Sequence, residues 1–397
     1  MNHLAEKLVK RRCVISIGDY ESIDVEQLFA NFQRGLHRFG KTWNVDARYS
    51  KLKMEADGAV AVWNIETKTS NWQVKTVFRL LNWSDIVKKD FRRWSLNRVW
   101  RAIKALTNFA VSGTCWRYFR LNWRFGLFFL YPALTVFLFT IFALWLTVLL
   151  GNFEVPYTGF FGFVIGLGLF AAFIKWVDPV VLPRVVDMWI FMYELVHLER
   201  TSLAERLGVF SQDIVAQLQS NDFDEVLIIG HGIGAVLQPI IVDRAFWALP
   251  EFGKDGRSVS LLSLGSLLLA VGLHPEGDWV VGPVSRVARD RWVKWVEYQA
   301  EKGVIGFPGS NPVTELISDY HKPVLQNIQI KDMTDAKRSF SGSIYQNHRQ
   351  LVRANSKRYF YDYFMTFCGP FTLSMRMEHP ELMVEAFHPD GRLIVGL

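Results

Sequence analysis

Residues Asp224 to Leu237 (DEVLIIGHGIGAVL) carry the spacing most suggestive of chemistry: an apolar strand, the turn Gly230-His231-Gly232-Ile233-Gly234, and an apolar helix. A strand-to-helix turn of the form G-x-S-x-G holds a serine on a strained backbone, exposes its hydroxyl for acyl transfer, and offers the next amide to the oxyanion. Position 232, where that serine would stand, is glycine. Glycine relieves a conformation that other residues tolerate poorly, and it supplies no nucleophile. The donors that survive are the Ile233 amide and one from the loop after an early strand, at Asp19 or Tyr20, and together they would suit a carbonyl or carboxylate. The same letters satisfy G-x-G-x-x-A, a dinucleotide fingerprint that wants an acid roughly 20 residues on, at the end of the next strand. That strand ends Leu264-Gly265-Ser266, while Asp243 and Glu251 fall on the helix, which Pro239 interrupts, and on its exit loop. Dinucleotide binding is therefore the minor alternative.

Such a turn needs a parallel sheet behind it. Arg12–Gly18 reads as a buried strand, Val25–Phe39 as an amphipathic helix, and Val60–Thr67 and Val74–Leu81 as strands. Further on, Ser202–Leu218 and Ala235–Ala248 read as helices, with strands at Glu225–Ile229, Val259–Leu264 and Val293–Tyr298. Alternating strands and helices predict an α/β protein with a mainly parallel sheet. Neither half has enough strands for a sheet of its own, so one sheet is expected from both.

Lys and Arg number 45 against 38 Asp and Glu, a net +7, but the surplus sits in one half. Up to Arg124 there are 23 basic and 11 acidic residues; after it, 22 and 27. Between Arg124 and Glu154 run 29 uncharged residues, and Leu130–Leu150 contains 13 Leu, Ile, Phe or Val. At roughly −0.3 to −0.6 kcal/mol each these favour insertion by about −4 to −8 kcal/mol, which specifies a transmembrane helix. A second uncharged stretch, Val155–Ile174, carries Gly162 and Gly166 at the GxxxG spacing that lets helix backbones approach. The flank Lys75–Arg124 is strongly basic and the connection Gly151–Pro156 has no basic residue, so both ends are expected in the cytoplasm. Leu96, Val99, Trp100, Ile103, Leu106 and Ala110 recur at helical spacing, with Arg98, Arg101 and Lys104 between them and Trp94, Trp116 and Trp123 nearby. This is the pattern of a helix at the headgroup level, with anionic lipid as its partner. Nucleic acid is not expected, because the basic run adjoins a span and no recognition motif accompanies it. Cys13, Cys115 and Cys368 form neither a disulfide set nor a ligand cluster, so they read as structural thiols in a reducing compartment, and no metal or cofactor is expected. Met1–Arg12 lacks the apolar stretch of a cleavable signal peptide.

On these residues the chain resembles a bacterial group of membrane-tethered α/β-hydrolase-like proteins. The resemblance covers most of its length: the first strand with Gly18-Asp19-Tyr20, the membrane hairpin, the glycine turn, Leu261–Pro275, and Trp295 onward. Similar proteins carry an aspartate in a motif like W-x-x-Y-Q-x-x-K-D-x-x-N-F. Here that stretch runs from Trp295 through Tyr298, Gln299 and Lys302 to Phe307, with Gly303 at the acid position. They also carry a histidine ahead of a segment like Arg349-Gln-Leu-Val-Arg-Ala-Asn, then Tyr361-Asp-Tyr-Phe and Cys368-Gly-Pro; here it is His348. The resemblance implies that Gly232 and Gly303 replace nucleophile and acid, with the base position kept.

The expected organisation is an α/β-hydrolase-like domain in two parts, 1–93 and 183–397 with the elbow at 230–234. Basic interfacial helices over 94–124 and a transmembrane hairpin over 125–182, with spans near 127–150 and 156–175, lie between the two parts. The expected function is that of an inner-membrane, cytoplasm-facing pseudoenzyme that binds a protein partner or an acyl or carbonyl ligand. The alternative is a membrane-tethered serine esterase with a relocated triad of Ser266, Glu301 and His348. A serine at a strand end more often caps a turn.

Overall fold

The computed structural model describes residues 8–92, 95–152, 157–177, 180–220, 222–251, 258–317, 322–334, 344–380 and 382–394. The expectations for the first seven residues, Trp94 and the connection at 153–156 lie outside them. Two compact units emerge, one from Met1–Arg92 with Leu195–Leu397 and one from Arg93–Glu194.

In the first unit the strands are β1 (Arg11–Ile17), β2 (Asp46–Tyr49), β3 (Lys53–Glu55), β4 (Val60–Lys68), β5 (Gln73–Leu81), β6 (Glu225–His231), β7 (Ser258–Leu264), β8 (Val293–Ala300) and β9 (Val324–Ile328). They form one sheet in the order β2-β4-β5-β1-β6-β7-β8-β9, with β3 beside β4. From β5 to β9 every neighbouring pair is parallel, and β4 runs antiparallel to β5. β1 pairs with β6 from Arg12↔Glu225 to Ile17↔Gly230, so a strand preceding the apolar hairpin lies beside one that follows it. The single sheet expected from the two halves is thus present. Its centre is apolar on both faces: β6 is buried throughout and β1 from Arg12 onward, as a sheet covered by helices requires. β2, β3 and β9 were not expected. They are short, with β2 and β3 largely exposed, and lack the apolar alternation by which strands are read.

The helices of this unit include α1 (Val25–Trp43), α2 (Ser84–Phe91), α8 (Thr201–Gln219) and α9 (Gly234–Ala248). α9 continues through Pro239, which was expected to interrupt it, because a proline removes a single backbone bond to the carbonyl four residues earlier. Arg12 and Glu225, opposite each other in the register, form a fully buried ion pair at 2.6 Å. The remaining Arg12 donors reach the carbonyls of Phe367, Gly369 and Phe371, and Glu225 accepts the Leu373 amide at 2.7 Å. This buried pair fixes the Cys368-Gly-Pro segment against the sheet, and removing one partner would leave an uncompensated charge. Cys13 and Cys368 are buried free thiols pushed up to about 12 by burial, which makes them structural.

The second unit contains α3 (Ser95–Val111), α4 (Thr114–Leu121), α5 (Trp123–Gly151), α6 (Thr158–Ala172) and most of α7 (Val181–Val196). Trp123–Gly151 and Thr158–Trp176 are long and apolar enough to cross a membrane. Gly162 and Gly166 face α5: a Cβ at 162 would lie 2.6 Å from the Leu146 carbonyl oxygen, and one at 166 would overlap Ala143. The GxxxG spacing therefore serves the close approach expected of it. On α3 the apolar stripe is outward at Leu96, Val99, Trp100, Ile103 and Ala110, with Leu106 half-buried. Its basic residues have partners on α7. Arg98 pairs with Asp187 and Arg101 with Glu194, both at 2.7 Å, and Lys104 lies 4.6 Å above the Tyr193 ring. Buried acids on α7 claim these cations, and the helix presents its apolar side instead.

Candidate functional site

β6 ends at His231 and α9 begins at Gly234, which leaves Gly232 and Ile233 to turn the chain. Gly232 has φ +56°, the left-handed conformation expected at an elbow. Its amide donates to the Leu264 carbonyl at 3.1 Å and its carbonyl accepts the Leu267 amide at 3.2 Å, so the turn is fastened to the end of β7. Gly230 and Gly234 are required by close approach: a Cβ at 230 would stand 2.6 Å from Ala235 Cα, and one at 234 would overlap the Ile17 carbonyl.

Asp19 follows β1 and reaches over this turn. Its Oδ1 accepts the Ile233 amide at 2.8 Å, and its Oδ2 lies 3.3 Å from His348 Nε2, a distance for charge attraction without hydrogen-bond alignment. A Cβ at position 232 would overlap this carboxylate. The expected contribution of Asp19 was a backbone donor; its side chain is instead an acceptor that fills the space beside position 232 and takes the Ile233 amide. Burial opposes the charge on Asp19, but His348 and the Ile233 amide outweigh it and hold the carboxyl well below the usual carboxylate range. Tyr20, the other oxyanion candidate, donates its hydroxyl to Asp90 at 2.9 Å and stacks on Phe91. A carboxylate at the start of α9 also repels the pyrophosphate that a dinucleotide would place there.

His348 sits on the helix Ile344–Gln350, and its ring stacks on His231 with centroids 4.5 Å apart and planes inclined by 25°. His231 Nε2 lies 3.3 Å from the His348 carbonyl oxygen, and burial, then His348, lower its pKa to about 3, so the ring is uncharged near neutrality. Among the described residues, Asp19, His231 and His348 are a group whose types could hold a metal, with ligand atoms within 4.8 Å of one another. The fit is poor. A metal bound by both rings must lie in both ring planes, and planes inclined by 25° intersect far outside the roughly 2.0–2.1 Å reach of a metal–nitrogen bond. Asp19 and His231 also line a cavity of about 450 Å³ shared with Arg34, Arg38, Arg349 and Arg353, of which Arg349 is taken by Glu21 at 2.5 Å.

The remaining expected residues collect around another cavity of about 320 Å³, lined by Ser266, Glu301, Gly303 and His348 among others. Ser266 Oγ accepts the Leu268 amide at 3.0 Å, the local cap anticipated for a strand-end serine, and Glu301 is exposed. Ser263 is tied to Gln238 at 2.8 Å and Trp295 at 2.9 Å. Two residues in this cavity escaped the sequence reading: Glu297 and Gln299, both buried on β8. A signal was present, since two polar residues two apart within an aromatic strand face the same side. No family model, curated protein or solved structure matches the chain.

Proposed function

We propose that the chain is a membrane-anchored α/β-hydrolase-like protein that works by binding and has lost hydrolytic chemistry. One observation carries this reading: the Asp19 carboxylate lies where a nucleophile's side chain would stand and occupies the Ile233 amide that would stabilise an oxyanion. The esterase alternative through Ser266 is weakened by the engagement of its Oγ with the Leu268 amide.

The anchor is the α5–α6 hairpin, its ends marked by exposed aromatic and basic residues. Trp116, Arg117, Arg120, Trp123 and Arg124 precede or open α5, and Lys175 lies 5.7 Å from the Trp176 ring beyond α6. Such residues settle at the headgroup level, and the basic ones favour the cytoplasmic leaflet with its anionic lipids. Because β1 and β6 are neighbours in one sheet, the chain returns after the hairpin to the compartment it left. Reporter fusions after residues 60 and 390 are expected to agree on the cytoplasm, and opposite sides would end this topology. A fluorophosphonate probe tests the chemistry. Absence of labelling is expected, whereas labelling abolished by Ser266→Ala would establish a serine hydrolase.

A further inference from the structure

The cavity at the C-terminal ends of β7 and β8 holds a polar group that the folded chain leaves unmatched. Glu297 is 2% exposed. Its Oε1 accepts from Gln299 Nε2 at 2.9 Å. Oε2 has no hydrogen-bond partner among the described residues. Gln299 cannot turn to serve it, because the Gly309 amide fixes its Oε1 at 2.8 Å and the Ser310 carbonyl its Nε2 at 3.0 Å. Burial pushes the Glu297 carboxyl up to about 7, so a large share of molecules carry its proton near neutrality. With Gln299 donating to Oε1, the proton belongs on Oε2, and the result is a buried O–H with nothing to receive it among the described residues. Leaving such a group unmade is costly, and a ligand oxygen placed opposite it recovers that loss.

The rest of the cavity suits the body of a small molecule. Ile305, Phe307, Ile328 and Leu351 are buried apolar walls, Glu301, Lys302 and Lys331 are exposed residues of its lining, and about 320 Å³ falls within the range of small-ligand sites. Open parallel sheets present their ligand crevices at the carboxyl ends of the strands. We propose that this cavity binds an uncharged molecule with an accepting carbonyl oxygen, an ester, amide or ketone, on an aliphatic body, and that Glu297 donates the hydrogen bond to that oxygen. The site goes beyond the reading of an unreactive elbow and does not depend on it.

The test uses the full chain in phosphatidylcholine nanodiscs with methyl hexanoate as probe, followed by saturation-transfer NMR against empty nanodiscs. Saturable binding is expected. Glu297→Leu, which keeps bulk and loses the donor, weakens it at least tenfold. Glu297→Gln, whose amide still donates, stays within threefold. Ile330→Trp, at a half-buried wall position, abolishes binding by filling the cavity and serves as a second check if the leucine variant folds poorly. No saturable binding to the unaltered chain, or equal affinity in Glu297→Leu, overturns the proposal. Methanol appearing in the same spectra would mean that the ester is hydrolysed, which would sink the unreactive elbow and leave the carbonyl site intact.

Discussion

Asp19 and Glu297 are two acids on either side of the glycine turn, each near the C-terminal end of a parallel strand, and their environments drive them in opposite directions. Asp19, with a side chain 11% exposed, meets the Ile233 amide and His348, and these favour its charge more than burial opposes it. Glu297 receives an uncharged donor, Gln299, and burial prevails. One acid closes the elbow as an anion; the other keeps a proton to offer. The difference shows that burial alone does not decide the state of a carboxyl: the partners on its oxygens do.

The sharpest way to break the contrast is to force a side chain into the space Asp19 fills. Gly232→Ser is expected to cost about 3 kcal/mol in urea unfolding, from left-handed backbone strain together with overlap. In an Asp19→Gly background the overlap disappears and the penalty should fall to about 1–2 kcal/mol; an undiminished penalty would show that Asp19 does not occupy the site. Next comes the pH response of Glu297. Its folded pKa, about 7, exceeds its ordinary 4.5, so its protonated form favours the folded state below pH 4.5, and that contribution is lost progressively as pH rises to 7 and above. The loss is about 3 kcal/mol, and Glu297→Gln should flatten the stability profile over this window. Asp19 has the opposite sign. Its contribution is present above its ordinary 3.8 and is lost only as the solution becomes more acidic. Asp19→Ala should cost about 2 kcal/mol at pH 7 by stranding the Ile233 amide and the His348 ring. The smallest effect concerns His231. His231→Phe should preserve the stacking, cost about 1 kcal/mol for the contact with the His348 carbonyl, and move the Asp19 titration measured by NMR to higher pH, because the ring gains charge below about 3 and helps to hold the Asp19 carboxyl low.

Much of this frame is readable locally. The elbow, its three glycines and the flanking strand and helix occupy a few consecutive residues, and their outcome depends on backbone sterics that act at short range. The hairpin is equally local, because twenty apolar residues and a GxxxG pair describe a membrane helix and its packing face without reference to the rest of the chain. The partners of the charges on α3 are not local. Arg98 and Arg101 look like headgroup ligands until Asp187 and Glu194, about ninety residues away, claim them. Edge strands such as β2 and β9 escaped notice because a partly solvated edge needs no strong apolar pattern.

The sequence by itself determined the mainly parallel sheet, the two long apolar helices and the absence of a hydroxyl at position 232, since these follow from periodicity, hydropathy and the identity of one residue. Only the tertiary structure decided what stands beside Gly232. Asp19 and Ile233 are 214 residues apart and meet because β1 and β6 are paired in register. It likewise decided which oxygen of Glu297 is left open, because Gln299 is pinned by a loop whose course no short pattern encodes. Protonation and hydrogen-bond satisfaction are properties of a packed neighbourhood, and that neighbourhood is assembled from chain segments only the folded sheet brings together.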